Sequence, residues 1–382
     1  MKQEKKHRRG FFGRLIAGIL AIMAVVGLIA MCLSVLSSFV NPEKYVWIAY
    51  FGLVFWVILI YNHNVFTLLL LMWSRHIQIA LLALLIAIPG IVKSFSTGKS
   101  QGEGDLRVMT YNVHYFEDKT TDGKTQEEML DGVIDLARQQ QVDVFCVQEI
   151  GVFRKKVKRE DFLDEIGQRM GLPYIYYQKQ KHFGSNVIFS KYPVVDIPEG
   201  EPFHENNDYG VIVTKIDAGE KGEFYVACCH LTSFQLTDEE LKLFSEPGNT
   251  KEEVQKKGKS ILKQKGKSIL TKMDTAYCRR SNEVSQLLSD MPHDGRNFLI
   301  CGDMNDTPLS YTYQRIKKAG FIDSFVKVGR GIGYTYAGKL PWLRIDYIWY
   351  SGKVQPKSFV RLKHKGSDHY PIIMSFSIDH GV

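Results

Sequence analysis

The chain has 382 residues, 45% of them hydrophobic and 24% charged, with a formal net charge of +8. That length holds one large domain plus a second element, and six cysteines without a CxxC pair exclude a disulfide framework. Residues 1–100 carry 10 Lys+Arg against 2 Asp+Glu, which leaves 39 of each sign in residues 101–382. The basic excess therefore belongs to the front of the chain, and global charge gives the remainder no footprint for nucleic acid.

The front is apolar. Leu15 to Val40 is a run of 26 residues without a charge, Tyr45 to Trp73 one of 29 without Asp, Glu, Lys or Arg, and Ile77 to Val92 one of 16. About 20 apolar residues cross a bilayer, so the first two runs suffice alone. The third carries Pro89-Gly90 and borrows flanking residues. A break at Asn62-His63-Asn64 would put Arg75 near mid-membrane at a high cost; a break at Ser74-Arg75-His76 avoids it, and either parse gives three spans. The first run is too long for a signal peptide and lacks a small-x-small cleavage site. Lys2, Lys5, Lys6, Arg8, Arg9 and Arg14 precede it, whereas the next loop offers only Lys44 against Glu43. Positive-inside reasoning predicts an integral protein of the cytoplasmic (inner) membrane, with the N-terminus in the cytoplasm and everything after Val92 extracytoplasmic. A third run that failed to span would reverse the last point. The predicted organisation is an anchor over 1–92 (spans about 15–40, 45–73 and 77–92), a Gly/Ser-rich flexible linker over 93–104, and a large domain over 105–382.

Beyond the linker, β-rich runs alternate with helical ones. Strands are predicted at 106–111, 143–148, 174–178, 186–190, 210–216, 223–229, 297–301, 345–350 and 371–377, and helices at 126–140, 160–170, 238–244, 251–289 in pieces and 310–319. Continuously apolar strands with helices between them imply sheets covered by helices. The repeat "KGKSIL" at 257–262 and 265–270 invites a P-loop reading. That pattern needs a glycine five positions before each GK glycine, where Glu253 and Ile261 stand, and Lys93 stands there for Gly98; it is rejected. A basic amphipathic helix with solvated lysines is the simpler reading.

Six apolar runs end in polar residues: "YNVH" at Asn112, "VQEI" at Glu149, "CCHLTS" at His230, "GDMND" at Asp303 and Asn305, "RIDYI" at Asp346 and "SDHYPI" at Asp368 and His369. Singly, most have bland explanations. Asn112 and Asp368 suit turns, Glu149 a surface loop, and His230 a satisfied core histidine. Asp346 is different, because a charge inside an apolar strand is costly unless paired, and His369 is the predicted partner. Asp303 and Asn305, two apart, would point the same way off an extended chain.

The ordered set across 105–378 resembles the endonuclease/exonuclease/phosphatase family of DNase-I-like metal-dependent phosphohydrolases. The resemblance implies a four-layer α/β (α+β) sandwich, with two mixed β-sheets packed face to face and helices outside. It implies a metal set of Asn112, Glu149 and Asp368 for Mg²⁺, with Mn²⁺ or Ca²⁺ as substitutes. It also implies catalytic roles for Asp303 (positioning or deprotonating water), Asn305 (binding a phosphate oxygen), His230 (stabilising phosphate or protonating the leaving oxygen), Asp346 (orienting His369) and His369 (contacting the scissile phosphate). The segment 233–290 and the stretch "HFGSNVIF", with Asn186 where the family favours a small residue, depart from the pattern and are read as lying outside the core chemistry.

The resulting expectation is a membrane-anchored Mg²⁺-dependent phosphoesterase, most simply a phosphodiesterase, acting on a phosphoester substrate whose class stays open. A lipid head-group or sphingomyelinase-like phosphodiesterase, an extracytoplasmic nuclease and a non-catalytic binding module are the alternatives.

Overall fold

A computed structural model describes residues 11–118, 123–178, 186–195, 197, 210–237, 239–241, 250–291, 294–338, 340 and 342–379, with the side chains of 250–263 left aside. Lys2 to Arg9, most of the predicted helix 238–244 and the start of "HFGSNVIF" lie outside the described residues. The chain divides into two compact units, Met1–Lys93 with Leu309–Tyr311, and Ser94–Pro308 with Thr312–Val382.

In the first unit the helix Phe11–Leu36, with a hydropathy of 2.9, is long and apolar enough to cross a membrane. It buries Ala17, Leu20, Ala24, Gly27 and Met31, a helical spacing rich in small residues that lets a neighbouring backbone approach. Asn62 of the helix Phe55–Leu71 uses that approach, donating to the Gly27 carbonyl at 3.1 Å. The two later apolar runs are bent pairs: Pro42–Leu53 with Phe55–Leu71 at 56°, and Ile77–Ile86 with Ile88–Ser94 at 41°. Pro89, just past the second break, lacks an N–H for the helical ladder and clashes with the preceding turn. By length and composition the unit therefore holds one crossing helix, and three spans only if each bent pair counts as one.

The second unit contains the strands β1 (Phe95–Thr97), β2 (Leu106–Asn112), β3 (Val144–Gln148), β4 (Tyr174–Tyr176), β5 (Val187–Ser190), β6 (Val194–Val195), β7 (Val211–Asp217), β8 (Glu223–His230), β9 (Phe298–Asp303), β10 (Ile322–Asp323), β11 (Arg330–Ile332), β12 (Asp346–Ser351), β13 (Val354–Arg361) and β14 (Ile372–Ile378). Two mixed six-stranded sheets form, in the orders β13-β14-β2-β3-β5-β4 and β10-β12-β9-β8-β7-β6. Leu106, Val108, Val144 and Cys146 of the first meet Val226, Cys228, Leu299, Cys301 and Ile348 of the second in a shared core. The alternate residues, such as Met109 and Phe145, pack outward under the helices Gln126–Gln139 and Arg159–Met170. On the other side Ala227, Cys229 and Ile300 pack under the helices Thr250–Asp290 and Tyr311–Lys318. Because both faces of each sheet are covered, the strands read as unbroken apolar runs.

Each predicted strand coincides with one of these, within a few residues at the ends. The five that the sequence pattern did not signal are β1, β6, β10, β11 and β13. Most are two or three residues long, too short for an alternation to register. The pieces predicted over 251–289 are one helix, Thr250–Asp290. The segment predicted as a flexible tether also differs. Residues 95–97 form β1, paired with β11, and Gln101 and Gly104 donate backbone N–H bonds to Lys357 O and Ser375 Oγ. Its Gly/Ser composition describes the sequence but misses these backbone partners.

Candidate active site

A simple parity brings the polar residues together. Side chains alternate along a strand, and the inward series of β2 runs Leu106, Val108, Thr110, Asn112. That of β8 runs Phe224, Val226, Cys228, His230; that of β9 runs Leu299, Cys301, Asp303; and β12 begins its own with Asp346 before Ile348. Each polar residue is thus the end of an apolar series facing the other sheet. Registry aligns them further: Asp303 lies opposite Asp346 on one side and His230 on the other. The pairing is tight at Gly302, where a Cβ would run into the Cys229 carbonyl. With φ at +139°, glycine is the residue this position accepts.

Glu149 is out of step with β3, whose inward series ends at Gln148. Its φ of +55°, uncommon for a residue with a side chain, turns it back. Asn112 Nδ2 then donates to Glu149 Oε1 at 3.1 Å and to Asp303 Oδ2 at 3.2 Å, so one amide joins acids from the two sheets. Asn305 corrects an expectation. It does face Asp303, but through a turn with φ of +50° and not along an extended chain. Its N–H donates to Asp303 Oδ1 at 2.8 Å, and its side-chain amide to Asp303 Oδ2 at 3.1 Å and Leu231 O at 2.9 Å.

His369, 5% exposed, brings Nδ1 to 2.9 and 3.1 Å from the Asp346 carboxylate oxygens, with Nε2 3.6 Å from Asp303 Oδ2. Thr335 and Tyr336 support it. Thr335 Oγ1 accepts from the Ile345 and Asp346 N–H groups at 3.0 Å each, and the Tyr336 ring sits edge-on to the imidazole. Ser367 Oγ, donating to Asn112 O at 2.7 Å, ties the His369 loop to the end of β2. Asp303, Asp346 and His369 form a buried group whose ligand-capable atoms all lie within 4.8 Å of one another.

The electrostatics separate the acids. Burial alone would raise Glu149, but the His114 hydrogen bond, the His230 charge and the Asn112 amide outweigh it and hold the carboxyl at about 2. Burial also raises Asp303; there the Asp346 charge adds to it, the His369 and His230 charges oppose it, and the group is pushed up to about 6. His369 moves up despite burial, because Asp346 and Asp303 both favour its cation.

The sequence pattern missed three residues. His114 begins a left-handed turn, with φ of +43°, +54° and +58° through Phe116. It places Nδ1 3.2 Å from Glu149 Oε2 and 3.8 Å from Asp368 Oδ1. The only signal was a second polar residue two places after Asn112. The other two are Arg280 and Glu283, from the segment read as outside the core chemistry. Arg280 Nη1 donates to the Asn305 carbonyl, and Glu283 accepts the Thr232 N–H at 2.9 Å. Asn186 also belongs closer than expected. Its amide donates at 2.7 Å to Gly210 O, the same carbonyl that receives the His230 N–H at 2.8 Å.

The Glu149 side of this cluster offers oxygen atoms that could hold a divalent cation. Asp368 Oδ1 is buried without a hydrogen-bond donor among the described residues, and a carboxylate oxygen left that way is poorly satisfied unless a cation meets it. Glu149 and Asp368 are hard oxygen donors of the kind Mg²⁺ takes, few in number and leaving room for substrate oxygens. Asn112 is turned with its nitrogen toward the acids, while its Oδ1 accepts the His114 N–H at 3.0 Å.

Several solved structures resemble this one. The endonuclease/exonuclease/phosphatase from Beutenbergia cavernae DSM 12333 is 14% identical over 72% of each chain, with a TM-score of 0.47. An AP endonuclease from Archaeoglobus fulgidus is 18% identical over 71% of this chain and 99% of its own, at 0.46. The human Nocturnin catalytic domain with bound sulfate is 16% identical over 72% of this chain and 94% of its own, at 0.45. No curated protein matches the chain. Residues 17–94 match a family described only as a domain of unknown function. Residues 109–369, well over half of the chain and all eight predicted site residues, match a second family model: the chain belongs to the Endonuclease/Exonuclease/phosphatase family.

Proposed function

We propose that the chain is a membrane-anchored, Mg²⁺-dependent phosphodiesterase that cleaves its substrate by in-line attack of water. The carrying observation is that Asn112 joins carboxylates from the two sheets in different surroundings, Glu149 with histidines 3.2 and 3.3 Å from its oxygens and Asp303 buried opposite Asp346. A carboxyl whose pKa is lowered suits a cation. One whose pKa burial raises suits taking a proton from water.

In this reading Glu149 and Asp368 hold the ion, with Asn112 and His114 fixing Glu149. When bound, the ion supplies positive charge to a phosphate oxygen. Asp303 orients the attacking water and accepts its proton at Oδ2. His369, kept cationic by Asp346, donates to a non-bridging oxygen as negative charge grows there. Asn305 and His230 complete the cradle, with His230 as a donor that stabilises the phosphate or protonates the leaving oxygen. Mn²⁺ and Ca²⁺ are the expected substitutes for Mg²⁺.

The substrate we favour is a lipid head-group or other small phosphodiester. The apolar helix Phe11–Leu36 supports a membrane setting, and the balance of 39 acidic and 39 basic residues after residue 100 leaves no net charge to attract nucleic acid. The remaining parts of the reading are three spans with the N-terminus in the cytoplasm and the catalytic unit outside the cytoplasmic membrane. A reporter fused after residue 100 tests them.

The activity test uses full-length protein in detergent with bis(p-nitrophenyl) phosphate, p-nitrophenyl phosphate, sphingomyelin and phosphatidylcholine vesicles, and linear DNA, each with Mg²⁺ and with EDTA. Diester hydrolysis that EDTA abolishes and Mg²⁺ restores is expected. Activity indifferent to EDTA overturns the proposal, and turnover of DNA alone replaces it with the nuclease reading.

A further inference from the structure

Arg280 is wholly buried. A buried guanidinium is costly unless its fork is well partnered, and an apolar side chain would pack such a site more cheaply. Among the described residues Nη1 alone of that fork is hydrogen-bonded, while Nε and Nη2 are buried without a hydrogen-bond partner. Nη1 donates to the Asn305 carbonyl and lies 3.4 Å from Thr232 O, Nε lies 3.6 Å from Asp306 Oδ2, and the rings of Phe234 and Tyr277 stand 4.6 Å from the guanidinium carbon. Three positions on, and so on the same helix face, Glu283 accepts the Thr232 N–H at 2.9 Å and the Thr232 hydroxyl.

Arg344, the other deeply buried arginine described, offers a contrast. It closes on one acid, Asp323, at 2.7 Å and behaves as a structural ion pair. Arg280 closes mainly on carbonyls, and those carbonyls belong to the segments that follow His230 and Asp303. The two segments are knit to each other as well: Leu231 N donates to Asp303 O at 3.0 Å, and Asn305 Nδ2 to Leu231 O at 2.9 Å. Asn305 stands in the left-handed region, which asparagine adopts more readily than most side-chain-bearing residues.

We propose that Arg280 and Glu283 are positioning residues: one helix face that locks the turn bearing Asn305 to the segment after His230, so that the Asn305 side chain meets the phosphate in a fixed geometry. This rests on the reading of Asn305 as a phosphate-contacting group. Neither Arg280 nor Glu283 touches the reacting atoms, and neither has a described contact with Glu149 or Asp368.

The test is a double-mutant cycle on full-length protein with bis(p-nitrophenyl) phosphate, with Mn²⁺ binding followed by electron paramagnetic resonance. Arg280→Met should lower kcat about 30–100-fold, with KM and the Mn²⁺ dissociation constant changed by less than about 2-fold. Added to Asn305→Ala, which should retain about 1% of the rate, it should cost less than about 3-fold more, because the clamp acts through a residue already removed. A merely structural role would instead multiply the two losses. Wild-type kcat in Arg280→Met, or fully multiplicative losses, overturns the clamp. If Arg280→Met does not fold, Glu283→Gln reports on the same face: a loss of about 5–10-fold, absorbed in the Asn305→Ala background, is expected, and a wild-type rate overturns it. A wild-type rate in Asn305→Ala overturns the parent reading of Asn305 itself, a result distinct from any failure of the Arg280 arm.

Discussion

The two rims of the site carry the same chemical group in different surroundings. On the rim of the first sheet, the Glu149 side chain is 15% exposed and has a histidine within 3.3 Å of each oxygen, His114 and His230. On the second, the Asp303 side chain is 1% exposed, with Asp346 opposite it in the ladder. Burial penalises the charged form in both. The His114 hydrogen bond, the neighbouring His230 and the Asn112 amide overcome that penalty and hold Glu149 down, whereas a second acid beside Asp303 reinforces it. Identical chemistry thus divides into a carboxyl held down and a carboxyl pushed up by burial and neighbours together, and His369, from the loop before β14, links the second rim back to the first.

This division predicts different failures. Asp303→Asn should produce the largest effect, a kcat loss of about 10³–10⁴-fold with divalent-ion affinity within a few-fold of wild type. Isothermal titration beside steady-state kinetics measures both, and recovery of the rate at high Mg²⁺ would erase the distinction between the rims. Glu149→Gln should fail the other way, with ion affinity reduced about 10–100-fold and part of the rate regained by raising Mg²⁺. A rate that ignores ion concentration would place the ion elsewhere. Asp346→Asn keeps the shape but weakens the hold on the His369 cation; a kcat loss of about 100-fold with unchanged ion affinity is expected, since Asp346 acts through His369.

The smallest effect concerns stability. His364 lies behind Asn112, with its Nδ1 3.2 Å from Tyr111 Oη. Burial lowers its pKa and the Lys124 charge lowers it further, against a backbone contact at Gly132 that raises it. The folded protein therefore resists protonation there, so His364 contributes stability above its unfolded value, and the contribution is lost as pH falls through the lower folded value. Melting of the EDTA-treated protein between pH 7.5 and 5 should show a fall in Tm that shrinks by a few °C in His364→Phe. An identical pH dependence in that variant would count against the buried, neutral imidazole.

The strands were legible because both of their faces are apolar, and the six polar strand ends stood out against those runs. Three features were not legible. Glu149 needed a positive φ to rejoin the inward series, which no residue type announces. His114 is one polar residue in a loop. Arg280 and Glu283 sit in a helix so rich in lysine that one buried arginine carries no mark of its own; only the packing of that helix against the turn after β9 distinguishes it. The apolar runs near the front announced helices, but not the bends at Val54 and Ala87 that break two of them.

The parity along the strands carries a consequence for how such a protein changes over generations. Asn112, His230, Asp303 and Asp346 face inward because each stands an even number of steps from the apolar residues of its own strand. Exchanging one of those apolar residues for another leaves the count untouched. Inserting or deleting a single residue within β2, β8, β9 or β12 reverses it and turns the polar end out of the cleft. Length variation should therefore collect between the strands, as in the long segment 233–290, while the strands themselves vary in composition and not in length.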